Sequence, residues 1–250
     1  MPDDPKLWLA VSTSLVALAG TGYTAILNYR GQQRLERLKA DLLIARDERQ
    51  AELETQKIMS RFRDPLMHAA YDLQSRIFNI LRQQFLPRYL VRGAAREQEY
   101  AVENTVFLFA QFLGWTEAIR EELQFLDLGA EEDTKKLRAL QNMIYHHFQT
   151  DDLGPGFRLF AGEQRAIGEL MIDRKGGAVC RCIGFATFTS SRKPEIDQWL
   201  NPVREDIRKL AVQPGIFDRR LTAIQHAMID LLEFLDPEYI RFPHTTRSKV

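Results

Sequence analysis

The feature that most constrains this chain is an uncharged apolar run over residues 7–29, bounded on each side by a basic residue. At 1.5 Å per residue, a helix of this length measures roughly 30 Å, which matches the hydrocarbon core of a bilayer. Trp8 and Tyr29 stand near its two ends, where amphipathic rings favour the lipid headgroups. We therefore predict a single transmembrane anchor over residues 1–29, in contact with membrane lipid.

Basic residues are distributed unequally around this run. Only Lys6 precedes it, whereas six arginine and lysine side chains follow between residues 30 and 49. Because cytoplasmic flanks carry the excess of basic residues, we predict a single-pass membrane protein with its N-terminus outside and its C-terminal domain in the cytoplasm. A cleaved signal peptide, with the Ala-Leu-Ala sequence at 17–19 as its site, and a buried soluble helix are the alternatives. The acidic N-terminus and the apolar residues beyond the site argue against cleavage.

Small and hydroxylated residues recur through the anchor in alternating steps of four and three, and leucines continue these steps beyond it. The residues of this seam are Ala10, Ser14, Ala17, Thr21, Thr24, Asn28, Leu35, Leu38 and Leu42. Small residues let helices approach closely in lipid, and leucines form the equivalent seam in water. The pattern predicts a homo-oligomer joined through the anchor and through a charged helical, coiled-coil stalk over residues 30–63. Chance is the alternative, because small residues are common throughout the anchor.

Residues 64–237 have the apolar periodicity of a multi-helix bundle. Helices are predicted at 65–86 and 98–126, from residue 133 or 134, at 161–172, from Pro194 and after Gly215. Asp64 and Pro65 are the expected start of the first helix, since aspartate caps a helix and proline suits its first turn. Residues 105–115 are apolar on almost every side, which is typical of a central helix. A second membrane span is the alternative reading of that segment.

Two segments are predicted to be non-helical. Residues 178–189 alternate and are rich in β-branched and aromatic side chains, which predicts a short strand or an extended buried loop. Residues 238–250 are predicted to form a flexible tail. The expected fold class is therefore all-α: an N-terminal transmembrane helix that continues into a stalk, then a bundle with at most one short extended segment.

The composition and the motifs exclude several classes of protein. The 34 basic and 34 acidic residues give no net charge, so we predict no nucleic-acid partner. The chain contains no phosphate-binding glycine loop, G-x-S-x-G, H-E-x-x-H or E-x-x-H pattern, so we predict no catalytic residue, no metal and no cofactor. Cys180 and Cys182 are interpreted as small buried groups, and His147 with Asp151 as helix-end residues. A metal site at either pair, or a redox pair of the two cysteines, is the alternative.

Polar residues within apolar helices are the remaining candidates for a binding site. They are Arg76, Asn104, Gln111, Glu163, Arg165 and Glu169. Buried polar groups must be paired, so these six are expected to meet either in an interhelical network or in a pocket for a small ligand. An arginine in such a pocket favours an anionic or nucleotide-like ligand.

Three functional hypotheses follow. The first, which the sequence favours, is a membrane-anchored interaction or scaffolding module with an unknown cytoplasmic protein partner. The second is a ligand-gated membrane effector whose bundle binds a small anionic or nucleotide-like ligand. The third is an enzyme that uses carboxylates of the bundle, such as Glu163 or Glu169, although no nucleophile–base pair supports it.

Overall fold

A computed structural model describes residues 5–124, 132–174, 181–190 and 194–250. Inside helices, the side chains of residues 5–23, 25–27, 52, 54–56, 58–60 and 133–134 lie outside this description. The chain divides into two compact units, one that ends at Leu53 and one over Glu54–Val250. Each unit is helical in its described residues, which confirms the all-α class and the multi-helix bundle.

The helices of the described residues are bounded as follows. They are α1 (Pro5–Arg82), α2 (Ala95–Gln124), α3 (Glu132–Gln149), α4 (Ala161–Met171), α5 (Phe185–Ser190), α6 (Pro194–Val212) and α7 (Asp218–Leu235). A π-helical turn over Pro87–Val91 follows α1, and short 3₁₀ turns lie at Asp151–Leu153 and His244–Thr246. The predicted helix after residue 64 therefore ends four residues early, and the π-helical turn lies in the interval between the helices predicted at 65–86 and 98–126.

The first unit consists of the N-terminal part of α1. Among the residues whose side chains the structure describes, no helix has an apolar stretch long enough to cross a membrane. The predicted anchor at 7–29 lies almost wholly outside those residues, as do the first four members of the seam (Ala10, Ser14, Ala17 and Thr21). The remaining members of the seam are exposed. Leu35, Leu38 and Leu42 each expose more than half of their surface (54%, 59% and 61%).

The core of the second unit surrounds the middle of α2, as predicted. Val106, Phe109 and Leu113 are buried, and aromatic contacts join Phe109 to Phe148 of α3 and to Phe157. This helix packs against α4, α5 and α6, and α3 packs against α7. The surrounding helices bury their apolar faces against α2 on several sides. The middle of α2 therefore has no polar face.

Two glycines allow α2 and α4 to approach very closely. A Cβ atom on Gly168 would lie 2.6 Å from Cβ of Glu117 and 2.8 Å from the carbonyl oxygen of Leu113. A Cβ atom on Gly114 would lie 2.7 Å from Cβ of Met171. These separations are below van der Waals contact, so any larger residue would force the two helices apart.

The expected helix start at Asp64 and Pro65 is wrong, because α1 continues through Pro65. The Asp64 carboxylate does not cap a helix and instead accepts a hydrogen bond from Arg241 at 2.8 Å. One residue earlier, Nε of Arg63 donates to the carbonyl oxygen of Leu235 at 2.7 Å. Contacts with the far end of the chain thus hold this part of α1 in place, whereas the local sequence also suits a new helix.

The extended segment predicted at 178–189 is largely wrong. Within its described part, Cys182 forms an isolated antiparallel bridge with Ile172, and Phe185–Ser190 is the helix α5. Phe185 and Phe188 lie one turn apart and contact Phe107 with ring centroids at 5.3 and 5.4 Å. Packing on α2 therefore overrides the β propensity of this segment. Cys180 lies outside the described residues.

The segment predicted as a flexible tail is packed against α1 and the end of α7 within the second unit. Phe242 is buried and stacks on Tyr71 with ring centroids 3.8 Å apart. Arg247 is also buried, and its guanidinium contacts the Asp236 carboxylate and the carbonyl oxygen of Asp236 at 3.0 Å. The carboxylate also accepts hydrogen bonds from three backbone N–H groups of residues 240–242. Aromatic packing and a buried ion pair, which the sequence does not reveal, fix this segment.

Candidate functional site

Arg76 and Asn104 are the two predicted site residues that the structure brings into contact. Arg76 lies on α1, is 9% exposed, and donates from Nη2 to Oδ1 of Asn104 at 2.7 Å. Its Nη1 donates to Oγ1 of Thr105 at 2.9 Å. The guanidinium carbon lies 4.0 Å from the ring centroid of Phe85, which is a cation–π geometry. Neutral oxygens and an aromatic face thus hold this cation between α1 and α2.

The charge of Arg76 is not neutralised locally. Within the described residues its guanidinium forms no ion pair, and Asp72 acts on it only at longer range. Burial lowers the pKa of Arg76, while Tyr100 and then Asp72 oppose that shift. A guanidinium remains protonated at neutral pH in spite of such a shift. The protein therefore holds a buried positive charge next to open space.

That space is a cavity of 590 Å³, which we call the Arg76 cavity. Besides Arg76, its lining comprises Asn79, Gln83, Phe85, Arg88, Tyr89, Arg96, Glu97 and Tyr100. Its volume lies within the range of small-molecule sites. Arg88 and Arg96 are exposed and form no ion pair among the described residues. The Glu97 carboxylate accepts the N–H of Ala94 at 2.8 Å, so it serves as a cap for the start of α2.

The electrostatics of the Arg76 cavity favour an anion. Among the described residues, three guanidinium groups and one carboxylate line it, and this carboxylate accepts a backbone N–H group. Guanidinium groups bind phosphate and carboxylate oxygens through two parallel hydrogen bonds. The rings of Tyr89 and Tyr100 add flat apolar surface on which a planar group can stack. The cavity therefore combines phosphate-binding and ring-binding surfaces.

The other four predicted site residues lie elsewhere, so the six do not form one pocket. Glu163 accepts the N–H of Phe160 at 2.7 Å and stabilises the start of α4. Arg165 is exposed and lines a separate cavity between α2, α3 and α4. Glu169 is exposed on α4. Gln111 is half-buried, and its Oε1 has no hydrogen-bond partner among the described residues.

The alternative metal half-site at His147 and Asp151 has no third ligand among the described residues. The Asp151 carboxylate forms an ion pair with Arg158. Burial lowers the pKa of His147, and the neighbouring His146 and Arg220 lower it further. Across the described residues, no group of three His, Cys, Asp or Glu side chains has a metal-binding arrangement.

Sequence analysis missed Arg88, Arg96, Tyr89 and Tyr100. Arg88, Tyr89 and Arg96 lie between the predicted helices at 65–86 and 98–126, and Tyr100 lies in the first turn of the second. The π-helical turn positions Arg88 and Tyr89, and α2 positions Arg96 and Tyr100. The regular spacing of Arg88, Arg92 and Arg96 is the one signal that the sequence carries for this group.

Comparisons with protein-family models, with curated proteins and with solved structures find no match for this chain.

Proposed function

We propose that this protein is a membrane-anchored effector whose helical bundle binds a small phosphate-bearing anion in the Arg76 cavity. The observation that carries the proposal is the convergence of three arginines on one cavity. Within the described part of the chain, the only carboxylate that lines this cavity is used as a helix cap. Grouping like charges raises their mutual repulsion, and an anion between them relieves it. Anion binding therefore gives this arrangement a favourable electrostatic energy that the unliganded protein lacks.

The membrane part of the proposal rests on the sequence. The uncharged run over residues 7–29 and the excess of basic residues after it support an anchor whose C-terminal side is cytoplasmic. A cytoplasmic bundle would meet phosphorylated metabolites, which are the anions that arginine recognises best. Because the anchor holds the bundle next to the bilayer, ligand binding can produce an effect at the membrane.

We expect inorganic pyrophosphate to bind the full-length chain, purified in detergent micelles, in isothermal titration calorimetry. The double substitution Arg88→Gln and Arg96→Gln is expected to weaken this binding at least about tenfold, since each charge-assisted hydrogen bond contributes about 1.5–3 kcal/mol. Binding by the unmodified chain is expected to weaken at high salt.

Arg82→Gln is the matched control for this experiment. It removes the same charge from an exposed position on α1 that does not line the cavity, and we expect the affinity to remain unchanged. Equal losses in Arg82→Gln and in the double variant would show that pyrophosphate responds to general surface charge, and the proposed site would be rejected. Absence of binding to the unmodified chain would reject it as well.

A second candidate function, a self-associating interaction or scaffolding module, is favoured by the exposed leucines of the first unit. Leu35, Leu38 and Leu42 follow steps of three and four and are largely exposed to solvent. Such a row is stabilised when it packs against the same row of a second copy in parallel. The cytoplasmic protein partner and the lipid contacts of the anchor belong to this same proposal.

We expect Leu38→Glu with Leu42→Glu to reduce the mass of the detergent-solubilised chain, measured by light scattering after size exclusion. A carboxylate that is buried in a leucine seam costs far more free energy than a carboxylate on an exposed face. The adjacent Leu43 is equally exposed but lies off the seam, so Leu43→Glu is expected to leave the mass unchanged. A monomeric mass for the unmodified chain would contradict self-association.

A further inference from the structure

A second cavity, which we call the three-helix cavity, lies between α2, α3 and α4. Its volume is 420 Å³, and it shares no lining residue with the Arg76 cavity. The polar part of its wall includes Arg120 of α2, Arg138, Gln141 and Tyr145 of α3, and Gln164 and Arg165 of α4. None of the described side chains that line it is acidic.

Two buried amide groups in this wall have unused hydrogen-bonding atoms. Gln164 is 2% exposed, and its Nε2 donates to the carbonyl oxygens of Leu159 at 2.8 Å and Tyr145 at 3.2 Å. These two bonds fix the orientation of the amide, and its Oε1 is left without a donor among the described residues. Gln141 is 8% exposed, and its Nε2 has no acceptor in the described part of the chain.

The two unused atoms are complementary but do not bond to each other. Oε1 of Gln164 requires a donor, and Nε2 of Gln141 requires an acceptor. An unpaired buried polar atom destabilises a fold, so native proteins rarely retain two in one place. Both residues line the three-helix cavity, and a third group that offers both a donor and an acceptor would satisfy the two atoms.

The positive charges of the cavity define the rest of that group. Arg120 is paired with Glu117, one turn earlier on α2. Arg138 and Arg165 are exposed at the mouth, and neither forms an ion pair with a described residue. Two guanidinium groups on different helices therefore face the same opening and are available to an anion.

Tyr145 lines the same cavity and remains neutral at physiological pH. Burial raises the pKa of its hydroxyl, and the nearby Glu117 adds to the shift, while Thr116, Arg120 and Arg165 oppose it. A neutral phenol presents an apolar ring on which a planar group can stack, and it adds no negative charge that would repel an anion.

We propose that the three-helix cavity binds a mononucleotide-sized anion whose base-like edge pairs with Gln141 and Gln164 and whose phosphate is held by Arg138 and Arg165. A nucleobase edge carries adjacent donor and acceptor groups, which is the combination that the two amides lack. The cavity volume lies in the range of small-molecule sites. The inference is independent of the Arg76 cavity, because the two sites have no residue in common.

The test uses the full-length chain in detergent micelles and the four ribonucleoside monophosphates as probes in calorimetric titrations. We expect the affinity for at least one of them to exceed the affinities for its neutral nucleoside and for inorganic phosphate by about tenfold or more. The reason is that the protein recognises both halves of the ligand. Arg138→Gln with Arg165→Gln is expected to weaken that nucleotide at least about tenfold. Arg208→Gln with Arg219→Gln removes two exposed charges that line neither cavity, and as the control it is expected to leave the affinity for the nucleotide unchanged.

Gln141→Leu distinguishes a recognition group from a structural one. Leucine has nearly the same size and removes the unpaired donor, so we expect the Tm of the unliganded variant to rise while nucleotide binding is lost. The proposal is overturned if no monophosphate binds, since the amides would then be paired with water only. It is also overturned if phosphate alone binds as tightly as every nucleotide, or if Gln141→Leu binds as well as the unmodified chain.

Discussion

Replacement of Arg220 by methionine is expected to lower the free energy of unfolding of the helical bundle by at least about 3 kcal/mol, because it removes hydrogen bonds from a charged donor to buried carbonyl groups. Arg220 lies in the first turn of α7 and has no solvent exposure. Its guanidinium donates to four backbone carbonyl oxygens after and at the end of α3, those of His147, Phe148, Thr150 and Gly154. For a domain of this size, the Tm is expected to fall by roughly 6–12 °C, which circular dichroism measures.

The adjacent Arg219 supplies the control for this prediction. It is exposed in the same turn of α7, so Arg219→Met is expected to change the free energy of unfolding by less than about 0.5 kcal/mol. Arg220→Lys retains the charge but lacks the planar fork, and we expect it to recover only part of the loss. Equal stability of Arg220→Met and Arg219→Met would show that water replaces the guanidinium at the end of α3.

The second large effect is expected at Asp236, whose carboxylate fixes the segment after α7. Asp236→Asn leaves the buried guanidinium of Arg247 without its counter-ion and is expected to cost about 3–5 kcal/mol of stability. Hydrogen exchange is expected to accelerate at the backbone N–H groups of Ile240, Arg241 and Phe242, which donate hydrogen bonds to this carboxylate. Asp230→Asn breaks the exposed pair with Lys249 and, as a control, is expected to cost no more than about 1 kcal/mol.

The same carboxylate gives the protein a predictable sensitivity to acid. Burial would raise the pKa of Asp236, but the N–H groups of Phe242, Ile240 and Arg241 and the guanidinium of Arg247 outweigh it and hold the pKa below its ordinary value. The stabilisation is therefore complete above the unfolded-state pKa of about 3.9 and is lost as the pH falls from there through the lower folded-state pKa. Urea titrations over this range are expected to show the loss in the unmodified chain and not in Asp236→Asn. Parallel curves for the two proteins would contradict the assignment.

The helices of the bundle follow from local sequence, and their deviations follow from distant contacts. The periodicities that predict α2, α4, α6 and α7 agree with the structure because each helix buries one apolar face. The helix start expected at Pro65 fails because the residues that hold α1 there, Leu235 and Arg241, are more than 170 positions away in the chain. The strand expected near Phe185 fails for the same reason, since α2 provides the surface that selects a helix.

The sites are harder to predict because their residues belong to types that are normally exposed. The same difficulty exists outside the sites, since Arg220 is buried in α7 beside Leu221 although arginine usually prefers solvent. The unpaired atoms of Gln141 and Gln164 have no signature in the sequence, because an amide is unpaired only relative to its neighbours in three dimensions. The presence of polar residues within apolar helices predicts Arg76 and Asn104. This pattern can identify residues that form hydrogen bonds with each other, but it cannot identify the cavity beside them.

The close approach of α2 and α4 at Gly114 and Gly168 determines which parts of the bundle can move. Two backbones in near contact behave as a rigid pair, since neither helix can slide or tilt without a steric clash. Any change in the width of the opening that they share with α3 therefore requires a displacement of α3. Because Arg220 holds the carbonyl groups at the end of α3, such a displacement would be transmitted mechanically to α7.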